Sequence, residues 1–400
     1  MKIAYVTVQL PYGPQESFII PEIREVQRQG NDVIVLPLRP GEKIFHAEAE
    51  FLRKVSDDTR LFSVGVLREF VTELFLHPLK AARVVANIVR KSKNVRILLK
   101  NLIVVPRGFY FARLVKRCRI DHIHAHWAST PSTAAYIASF LSGIPWSFTA
   151  HRWDIAENNM LDEKVRTASF GRTIDAPGRR EIIDATGADA RDGNVITIHM
   201  GVGIPGQLPL PSIAKDSFSF LCPANFVAKK GHSYLIKAVR IAVDKGLDIH
   251  GDFAGDGPLE DGLKKLVESL QLDGRIRFLG RLGHDKLLEM YGGGAVDAVI
   301  LPSIVTSDGE KEGIPVALME AMAYGIPVIS TDTGGIPELL NGAGAVIPQK
   351  DSAALADAIE RMAKDGSYRD TLRKLGRDRV LRDFNLCTNV EMLIGRMREN

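Results

Sequence analysis

Residues 301–340 read LPSIVTSDGEKEGIPVALMEAMAYGIPVISTDTGGIPELL and show how the chain is built. A short apolar run ends at residue 302, a polar loop follows, and a helical pattern begins near Pro315. A second apolar run then covers residues 327–331. Apolar runs separated by an amphipathic stretch are typical of parallel strands joined by a crossover helix. The stretch therefore predicts a strand–helix–strand unit.

The same alternation continues through most of the chain and predicts an α/β fold. Predicted strands of the first half cover residues 3–8, 32–36, 122–125 and 146–149, with helices over 18–29 and 130–141. Predicted strands of the second half cover residues 218–223, 248–254, 276–279, 298–302, 327–331 and 345–347. Two halves of this kind predict two doubly wound domains that face each other across a ligand-binding cleft.

A glycine- and proline-rich segment, residues 200–216, interrupts the pattern between the halves. A chain of 400 residues is expected to form about two domains. We therefore predict one domain over residues 1–205 and a second over residues 206–383.

Composition narrows the class of protein. The chain is 45% hydrophobic and 25% charged, and its net charge of +4 is too small to indicate a nucleic-acid partner. Its three cysteines form no Cys-x-x-Cys pair, which argues against a cysteine zinc site and a disulfide framework and favours a cytoplasmic protein. The N-terminal residues MKIAYVTVQLP read as a strand rather than a signal peptide. No apolar run approaches the ~20 residues of a membrane span.

One segment is unusually basic. Residues 74–120 contain no Asp or Glu and twelve Lys or Arg. The segment forms either a solvated or acid-compensated helical surface, or a peripheral contact with anionic lipid. For the second alternative, the predicted apolar anchors are Leu74, Phe75, Leu76, Ile97, Leu98, Leu99, Phe109, Tyr110 and Phe111.

Two glutamates eight positions apart, Glu312 and Glu320, flank the helix start in the opening stretch. Pro315 suits the first helical position, which places Glu312 in the loop and Glu320 within the helix. The free N–H groups of residues 313–317 and the helix dipole can bind phosphate. A nucleotide sugar would match a phosphate site beside two hydroxyl-binding carboxylates. The alternative is one capping and one solvated glutamate.

The segment EGIPVALMEAMAYGIPVISTDTGGIPELL resembles the glutamate-x7-glutamate segment of retaining glycosyltransferases of family 4, which have the GT-B fold. FAGDGPLEDGLKKLVESLQLDGRIRFLGRL and NFVAKKGHSYLIKAV resemble further segments of that family. PYGPQESFIIPEI, HIHAHWASTPSTAA and PWSFTAHRWDI resemble bacterial members that build cell-surface polysaccharides. The resemblance implies transfer from a nucleotide sugar with retention, without a cofactor or an Asp-x-Asp metal motif. It also implies that the C-terminal helix, residues 384–400, returns to the first domain.

The resemblance also assigns roles within the second domain. Glu312 would bind the donor sugar, Glu320 the ribose, and Lys230 the phosphate as an electrophilic stabiliser. The backbone around the diphosphate would come from Gly313, Ile314, Pro315 and Val316. Asn225 stands where the family has an arginine, so the missing cation is absent or comes from Lys229 or an arginine of the other domain.

The first domain supplies further candidates. By resemblance, His151 would reach the donor sugar. His122, His124 and His126 alternate along one strand, which either forms a metal site or packs internally, with His126 nearest the substrate. Asp154 would orient an acceptor hydroxyl or cap a helix, Glu16 would contact the acceptor, and Gly13 would approach the diphosphate or simply turn the chain. Gly334 and Gly335 suit a second anion site or close packing equally.

Together these features predict a metal-independent retaining glycosyltransferase, cytoplasmic and peripheral to the membrane. Its donor would be a UDP-sugar, as the resemblance favours, and its acceptor a glycan or lipid-linked saccharide. Alternatives are a sugar phosphorylase or nucleotide-sugar epimerase of the same fold, and a non-catalytic membrane adaptor that retains the nucleotide-sugar pocket.

Overall fold

A computed structural model describes residues 1–13, 16–187, 193–206, 208 and 217–399. The chain divides into two compact units. Unit 1 comprises Met1–Met200 and Leu386–Asn400, and unit 2 comprises Gly201–Asn385.

Unit 1 is built on a parallel six-stranded sheet with the order β2-β1-β3-β4-β5-β6. Its strands are β1 (Lys2–Thr7), β2 (Asp32–Pro37), β3 (His122–His126), β4 (Trp146–Ala150), β5 (Phe170–Thr173) and β6 (Val195–Thr197). Its first eight α-helices are α1 (Ile20–Arg28), α2 (Val64–Leu76), α3 (Pro78–Lys91), α4 (Val95–Arg117), α5 (Thr130–Ser142), α6 (Arg152–Glu157), α7 (Leu161–Thr167) and α8 (Ala176–Thr186). Helices cover the sheet, so its central strands are almost wholly buried, including the three histidines of β3.

Unit 2 repeats this plan with a parallel sheet of order β12-β11-β10-β7-β8-β9. Its strands are β7 (Phe218–Pro223), β8 (Ile249–Ala254), β9 (Ile276–Gly280), β10 (Ala298–Leu301), β11 (Val328–Thr331) and β12 (Ala345–Ile347). Its α-helices are α9 (His232–Asp244), α10 (Glu260–Ser269), α11 (His284–Gly292), α12 (Val316–Ala323), α13 (Ile336–Leu340), α14 (Ser352–Lys364) and α15 (Gly366–Asp383).

The last helix, α16 (Leu386–Arg398), belongs to unit 1. Its residues Val390, Leu393 and Ile394 share a buried cluster with Ile20 and Ile23 of α1. The amide of Gln29 also donates a hydrogen bond to the carbonyl of Cys387, 2.9 Å away. The chain therefore leaves unit 1 after residue 200 and returns to it at residue 386.

Two details of the sequence interpretation change. Helix α12 begins at Val316, and Pro315 is its N-cap residue in extended backbone, so Pro315 does not occupy the first helical position. Strands β5 and β6 were not predicted. Strand β5 reads FGRT, in which the buried Arg172 breaks the apolar pattern.

Among the described helices, none is long and apolar enough to cross a bilayer.

Candidate functional site

The predicted donor residues of unit 2 lie in the loops that follow strands β7 and β10. Asn225 and Lys230 follow β7, whereas Glu312 follows β10 and Glu320 lies in α12. Because β7 and β10 are neighbouring parallel strands, these loops leave the same edge of the sheet. The carboxyl edge of a parallel sheet is where α/β folds bind ligands.

Lys230 and Glu312 form the closest contact among these residues. The Lys230 Nζ lies 2.9 Å from the Glu312 Oε1, and the Glu312 side chain is largely buried. The residues are far apart in sequence, so only the fold brings this cation and carboxylate together. A neighbouring pair, Lys229 and Glu310, is exposed and 2.6 Å apart. Lys229, one suggested replacement for the family arginine, is thus already paired with an acid.

Gly334 allows the Glu312 loop to pack closely against the loop after β11. Its φ is +62°, and a Cβ there would lie 2.0 Å from the carbonyl oxygen of Glu312. The next residue, Gly335, donates its N–H to the carbonyl of Gly313, 3.1 Å away. These contacts with the backbone of Glu312 and Gly313 support the interpretation that Gly334 and Gly335 allow close packing. A side chain at residue 334 would move the backbone that carries Glu312.

The backbone of residues 313–316 leads into α12. The carbonyl of Pro315 accepts from the N–H groups of Leu318 and Met319, at 3.2 and 3.3 Å. The N–H groups of Val316 and Ala317 lie in the first turn, where helix geometry provides no intrahelical acceptor. These donors and the positive end of the helix dipole favour an anion at this point.

Glu320 lies one turn further along α12 and is largely buried. Its Oε1 lies 2.6 Å from the Nε2 of His284, the first residue of α11. Sequence reasoning missed His284, because a separation of 36 residues carries no pattern. Asn225 is exposed in the loop after β7. The structure therefore brings Lys230 to Glu312 and His284 to Glu320.

In unit 1, His126 and His151 meet at the ends of β3 and β4. Their Nε2 atoms are 2.8 Å apart, and both side chains are buried. Burial lowers the pKa of His151 to about 3, and it holds the pKa of His126 well below its usual range. Both rings are therefore neutral at pH 7, and one donates a hydrogen bond to the other.

The remaining histidines of β3 form hydrogen bonds with hydroxyl groups of β4. His122 bonds to Ser147 at 2.7 Å, and His124 bonds to Ser147 and Thr149 at 2.8 and 2.9 Å. His124 and His126 approach Glu22 closely enough to suggest a metal site. The Glu22 carboxylate, however, binds the buried guanidinium of Arg172 at 2.6 Å. The cluster is thus held together by an ion pair of this chain.

The carboxylates of Glu16 and Asp154 both accept hydrogen bonds from backbone N–H groups. Glu16 accepts hydrogen bonds from the N–H groups of Val8, Gln9 and Leu10, and from the Trp127 indole at 2.8 Å. Asp154 accepts from the N–H groups of His151 and Ala128, at 2.7 and 2.5 Å. Burial raises the pKa of Asp154 to about 7. For Asp154 this geometry favours the capping interpretation.

A cavity of about 490 Å³ lies wholly within unit 1 at the carboxyl edge of its sheet. Its walls are formed by Val8, Gln9, Gly13, Glu16, Leu38, Arg39, Leu61, Lys100, Ile103, Val104, Trp127, Ser129, Thr130, Trp153 and Glu157. Two predicted residues, Gly13 and Glu16, line it. Trp127 and Trp153 lie in segments that carry the family resemblance, but neither was predicted as a site residue. Arg39 and Lys100 were not predicted either.

The basic segment covers the end of α2 together with α3 and α4, and only some of its predicted anchors are exposed. The prediction of Ile97, Phe109 and Phe111 as membrane anchors is wrong, because their side chains lie in the core. Phe75 is 82% exposed, and Leu74, Leu76 and Leu99 are also exposed. Further exposed apolar residues are Phe62, Val64, Leu67, Val71, Leu79, Val89, Val95, Leu102 and Ile103.

The cations of this segment are compensated only in part. Lys91, Lys100, Arg107, Arg113 and Arg117 form ion pairs with acids outside the segment. Within the described part of the chain, Lys80, Arg83, Arg90, Lys93 and Arg96 show no ion pair and are exposed.

Comparisons with known proteins indicate a family for part of the chain and a fold for the whole of it. Residues 211–379 match the family described as Glycosyl transferases group 1. The chain is 36% identical over 190 residues to the putative colanic acid biosynthesis glycosyltransferase WcaL of Salmonella typhimurium, over 47% of this chain and 44% of that protein. It is 26% identical over 407 residues to the amylovoran biosynthesis glycosyltransferase AmsK of Erwinia amylovora, over 96% of both. The crystal structure of Anabaena HepE in complex with UDP matches with a TM-score of 0.71 and 18% identity, over 100% of both chains.

The chain spans less than half the length of WcaL in this alignment but nearly all of AmsK. The family match confirms the resemblance drawn from the sequence for residues 211–379. The structural match confirms the predicted α/β fold of the GT-B class.

Proposed function

We propose that this chain, whose residues 211–379 match the glycosyl transferases group 1 family, is a retaining, metal-independent hexosyltransferase. It would transfer a sugar from a nucleotide diphosphate sugar to a saccharide acceptor during exopolysaccharide assembly. The names of WcaL and AmsK support the biosynthetic setting. The UDP complex of HepE supports a uridine nucleotide as donor.

The observation that carries the proposal is the contact between Lys230 and Glu312 beside the first turn of α12. A diphosphate needs positive charge and N–H donors, which Lys230 and the first turn of α12 provide. The hydroxyl groups of a sugar and a ribose need hydrogen-bond acceptors, which the carboxylates of Glu312 and Glu320 provide. The packing of Gly334 against the Glu312 backbone supports a Glu312 loop that is held in place before the donor binds.

The reaction we propose is a front-face displacement. The acceptor hydroxyl oxygen forms a bond to the anomeric carbon as the bond from that carbon to the diphosphate oxygen breaks. The departing phosphate takes the hydroxyl proton, so no protein carboxylate has to act as base or nucleophile. Lys230 and the N–H groups of the first turn of α12 stabilise the charge that develops on the leaving diphosphate. Glu312 orients the sugar hydroxyls.

We also propose that unit 1 associates peripherally with an anionic membrane at the cytoplasmic face. The exposed apolar residues of α2 to α4 and the unpaired cations of α3 and α4 support this arrangement. Arg90, Lys93 and Arg96 would contact lipid phosphates. Replacing these three residues by Gln is expected to abolish binding to vesicles containing anionic lipid at low salt. Unchanged binding would show that this surface does not contact the membrane.

The experiment is a release assay for nucleoside diphosphate from a panel of nucleotide sugars, with membrane lipid extract as acceptor source. Wild-type protein should release one nucleoside diphosphate only when the extract is present. Glu312→Gln should lower kcat, and Glu320→Ala should raise the donor KM. Glu268→Gln, an exposed glutamate of α10, is the control and should behave as wild type.

The alternative activities give different results in the same assay. Turnover that requires phosphate would indicate a phosphorylase, and conversion of the donor without acceptor would indicate an epimerase. Donor binding without release would indicate an adaptor. Wild-type kinetics in both Glu312→Gln and Glu320→Ala would contradict the proposed site.

A further inference from the structure

The side chain of Glu320 has a single hydrogen-bond partner within the described part of the chain, and that partner comes from another helix. The Glu320 Oε1 lies 2.6 Å from the Nε2 of His284, whereas the Glu320 Oε2 forms no hydrogen bond among the described residues. The Glu320 side chain is only 10% exposed, so little water reaches it. A carboxylate removed from water depends on the hydrogen bonds that the protein supplies. The bond to His284 therefore governs the orientation of this carboxylate.

The chemistry of the pair fixes which atom donates. An ionised carboxylate only accepts hydrogen bonds, so the proton lies on the Nε2 of His284. Hydrogen bonds to a charged group are shorter and stronger than those between neutral groups. With Oε1 held by His284, the Oε2 of Glu320 remains for a second donor. A ribose offers such donors in its 2′ and 3′ hydroxyl groups.

Other contacts hold α11 against α12. Tyr291 is fully buried, and its hydroxyl donates to the carbonyl of Ala317, 3.3 Å away. The Tyr291 ring centroid lies 5.8 Å from that of Tyr324. His284 and Tyr291 are seven residues apart in α11, which places them on the same face of the helix. The packing of Tyr291 thus keeps His284 within reach of Glu320.

We propose that His284 is a positioning residue of the donor site. Its Nε2 donates to Glu320 and holds the carboxylate in the orientation that accepts from the ribose hydroxyls of a nucleoside diphosphate. His284 acts through Glu320 and needs no contact of its own with the nucleotide. The inference rests on the proposed function, because it requires that Glu320 binds ribose.

Two substitutions of His284 separate loss of the hydrogen-bond donor from a change in the helix. Both place a neutral amide on the partly exposed first residue of α11. The amide nitrogen of Gln reaches about as far as the histidine Nε2, whereas that of Asn is one methylene shorter and matches Nδ1. His284→Gln should therefore keep nucleotide affinity close to that of wild type, and His284→Asn should lower it about tenfold.

The matched control is His250→Asn. His250 is an exposed histidine of unit 2, and its Nε2 also lies beside a carboxylate, 3.4 Å from the Oδ1 of Asp248. This variant makes the same chemical change at the amino end of β8, away from α11 and α12. It should bind nucleotides as wild type does.

The ligands distinguish positioning from a general structural effect. UDP, GDP and ADP are titrated by calorimetry, followed by the 2′,3′-dideoxy form of the diphosphate that binds most tightly. The dideoxy nucleotide lacks both hydroxyl groups that Glu320 would accept from. The loss of affinity in His284→Asn should therefore appear with the ribonucleotide and be absent with its dideoxy form.

A double-mutant cycle tests whether His284 acts through Glu320. In the Glu320→Ala protein, the additional change His284→Asn should not alter nucleotide affinity, because the carboxylate that His284 orients is gone. Additive losses would show that His284 contributes by another route and would overturn the inference.

Other results would also overturn the inference. These are wild-type affinity in His284→Asn, equal losses with the ribonucleotide and its dideoxy form, and equal weakening by Gln and Asn. Wild-type affinity in His284→Asn together with weaker binding by Glu320→Ala refutes the role of His284 alone. Ribonucleotide binding that depends on His284 as expected, without release of nucleoside diphosphate from any nucleotide sugar, refutes the proposed transfer alone. Absence of nucleoside diphosphate binding by wild type refutes both.

Discussion

Replacing Glu16 by Gln tests whether this buried carboxylate organises the cavity loop or contacts the acceptor directly. Its Oε2 accepts from the N–H groups of Gln9 and Leu10 at 2.6 and 2.7 Å. Its Oε1 accepts from the Val8 N–H and the Trp127 indole at 3.0 and 2.8 Å. Glutamine keeps the shape of the side chain but can satisfy only one of these donor pairs, because its amide nitrogen is itself a donor.

The expected loss of stability follows from the two donors left without an acceptor. A hydrogen bond to a charged group contributes about 1.5–3 kcal/mol, so two of them give about 3–6 kcal/mol. This is a large share of the roughly 5–15 kcal/mol that stabilises a typical domain. When the glutamine oxygen accepts from Gln9 and Leu10, Trp127 loses its acceptor, and affinity for ligands of the unit 1 cavity should then fall as well. Nucleotide binding in unit 2 should be unchanged.

The assay is urea unfolding followed by tryptophan fluorescence, which reports on unit 1 because all three tryptophans lie there. Glu181→Gln, an exposed glutamate of the same unit, is the control and should change stability by less than about 0.5 kcal/mol. Wild-type stability in Glu16→Gln together with weaker acceptor binding would refute the organising role. It would instead support the direct acceptor contact expected from the sequence.

Three further predictions concern other parts of the chain. Gly334→Ala should lower nucleotide affinity about tenfold or more in calorimetry, since its Cβ would lie 2.0 Å from the Glu312 carbonyl oxygen; unchanged affinity would show that the loop is free to move. Glu22→Gln should cost about 3–5 kcal/mol in urea unfolding, because it leaves the buried Arg172 uncompensated; a smaller loss would mean that water reaches the pair. Burial lowers the pKa of Lys164 from 10.5 to about 7, so between these pH values the unfolded chain binds more protons and stability should rise with pH. Lys164→Met should remove that rise, and an unchanged slope would assign it to other groups.

The sequence was sufficient to predict most of the strands, because parallel strands buried on both faces often form continuous apolar runs, as in β1 and β10. Strand β5 escaped prediction because Arg172 interrupts its apolar pattern, and its pairing with Glu22 arises only in the folded chain. Composition likewise predicted which segment is basic, but not which of its apolar side chains are exposed. Phe109 and Phe111 are apolar residues of α4 like Leu99, yet they face the core while Leu99 faces outward.

The candidate site shows the same division between local pattern and tertiary contact. The loop around Glu312 and the helix carrying Glu320 could be placed from local signals and family resemblance. The pairing of Glu320 with His284 could not, since it depends on how α11 packs against α12. The cavity lined by Arg39, Lys100 and Trp153 also draws on segments distant in sequence.

The most direct test of the account is calorimetric titration of nucleotides into wild type, Lys230→Met and Glu320→Ala. A panel of UDP, GDP, ADP and dTDP identifies the base, and the corresponding monophosphate and nucleoside isolate the phosphate and ribose contributions. We expect one diphosphate to bind wild type more tightly than its monophosphate. Lys230→Met should remove that difference, and Glu320→Ala should weaken the diphosphate, monophosphate and nucleoside alike. Wild-type affinity in both variants, or no binding by any nucleotide, would contradict a donor site in unit 2.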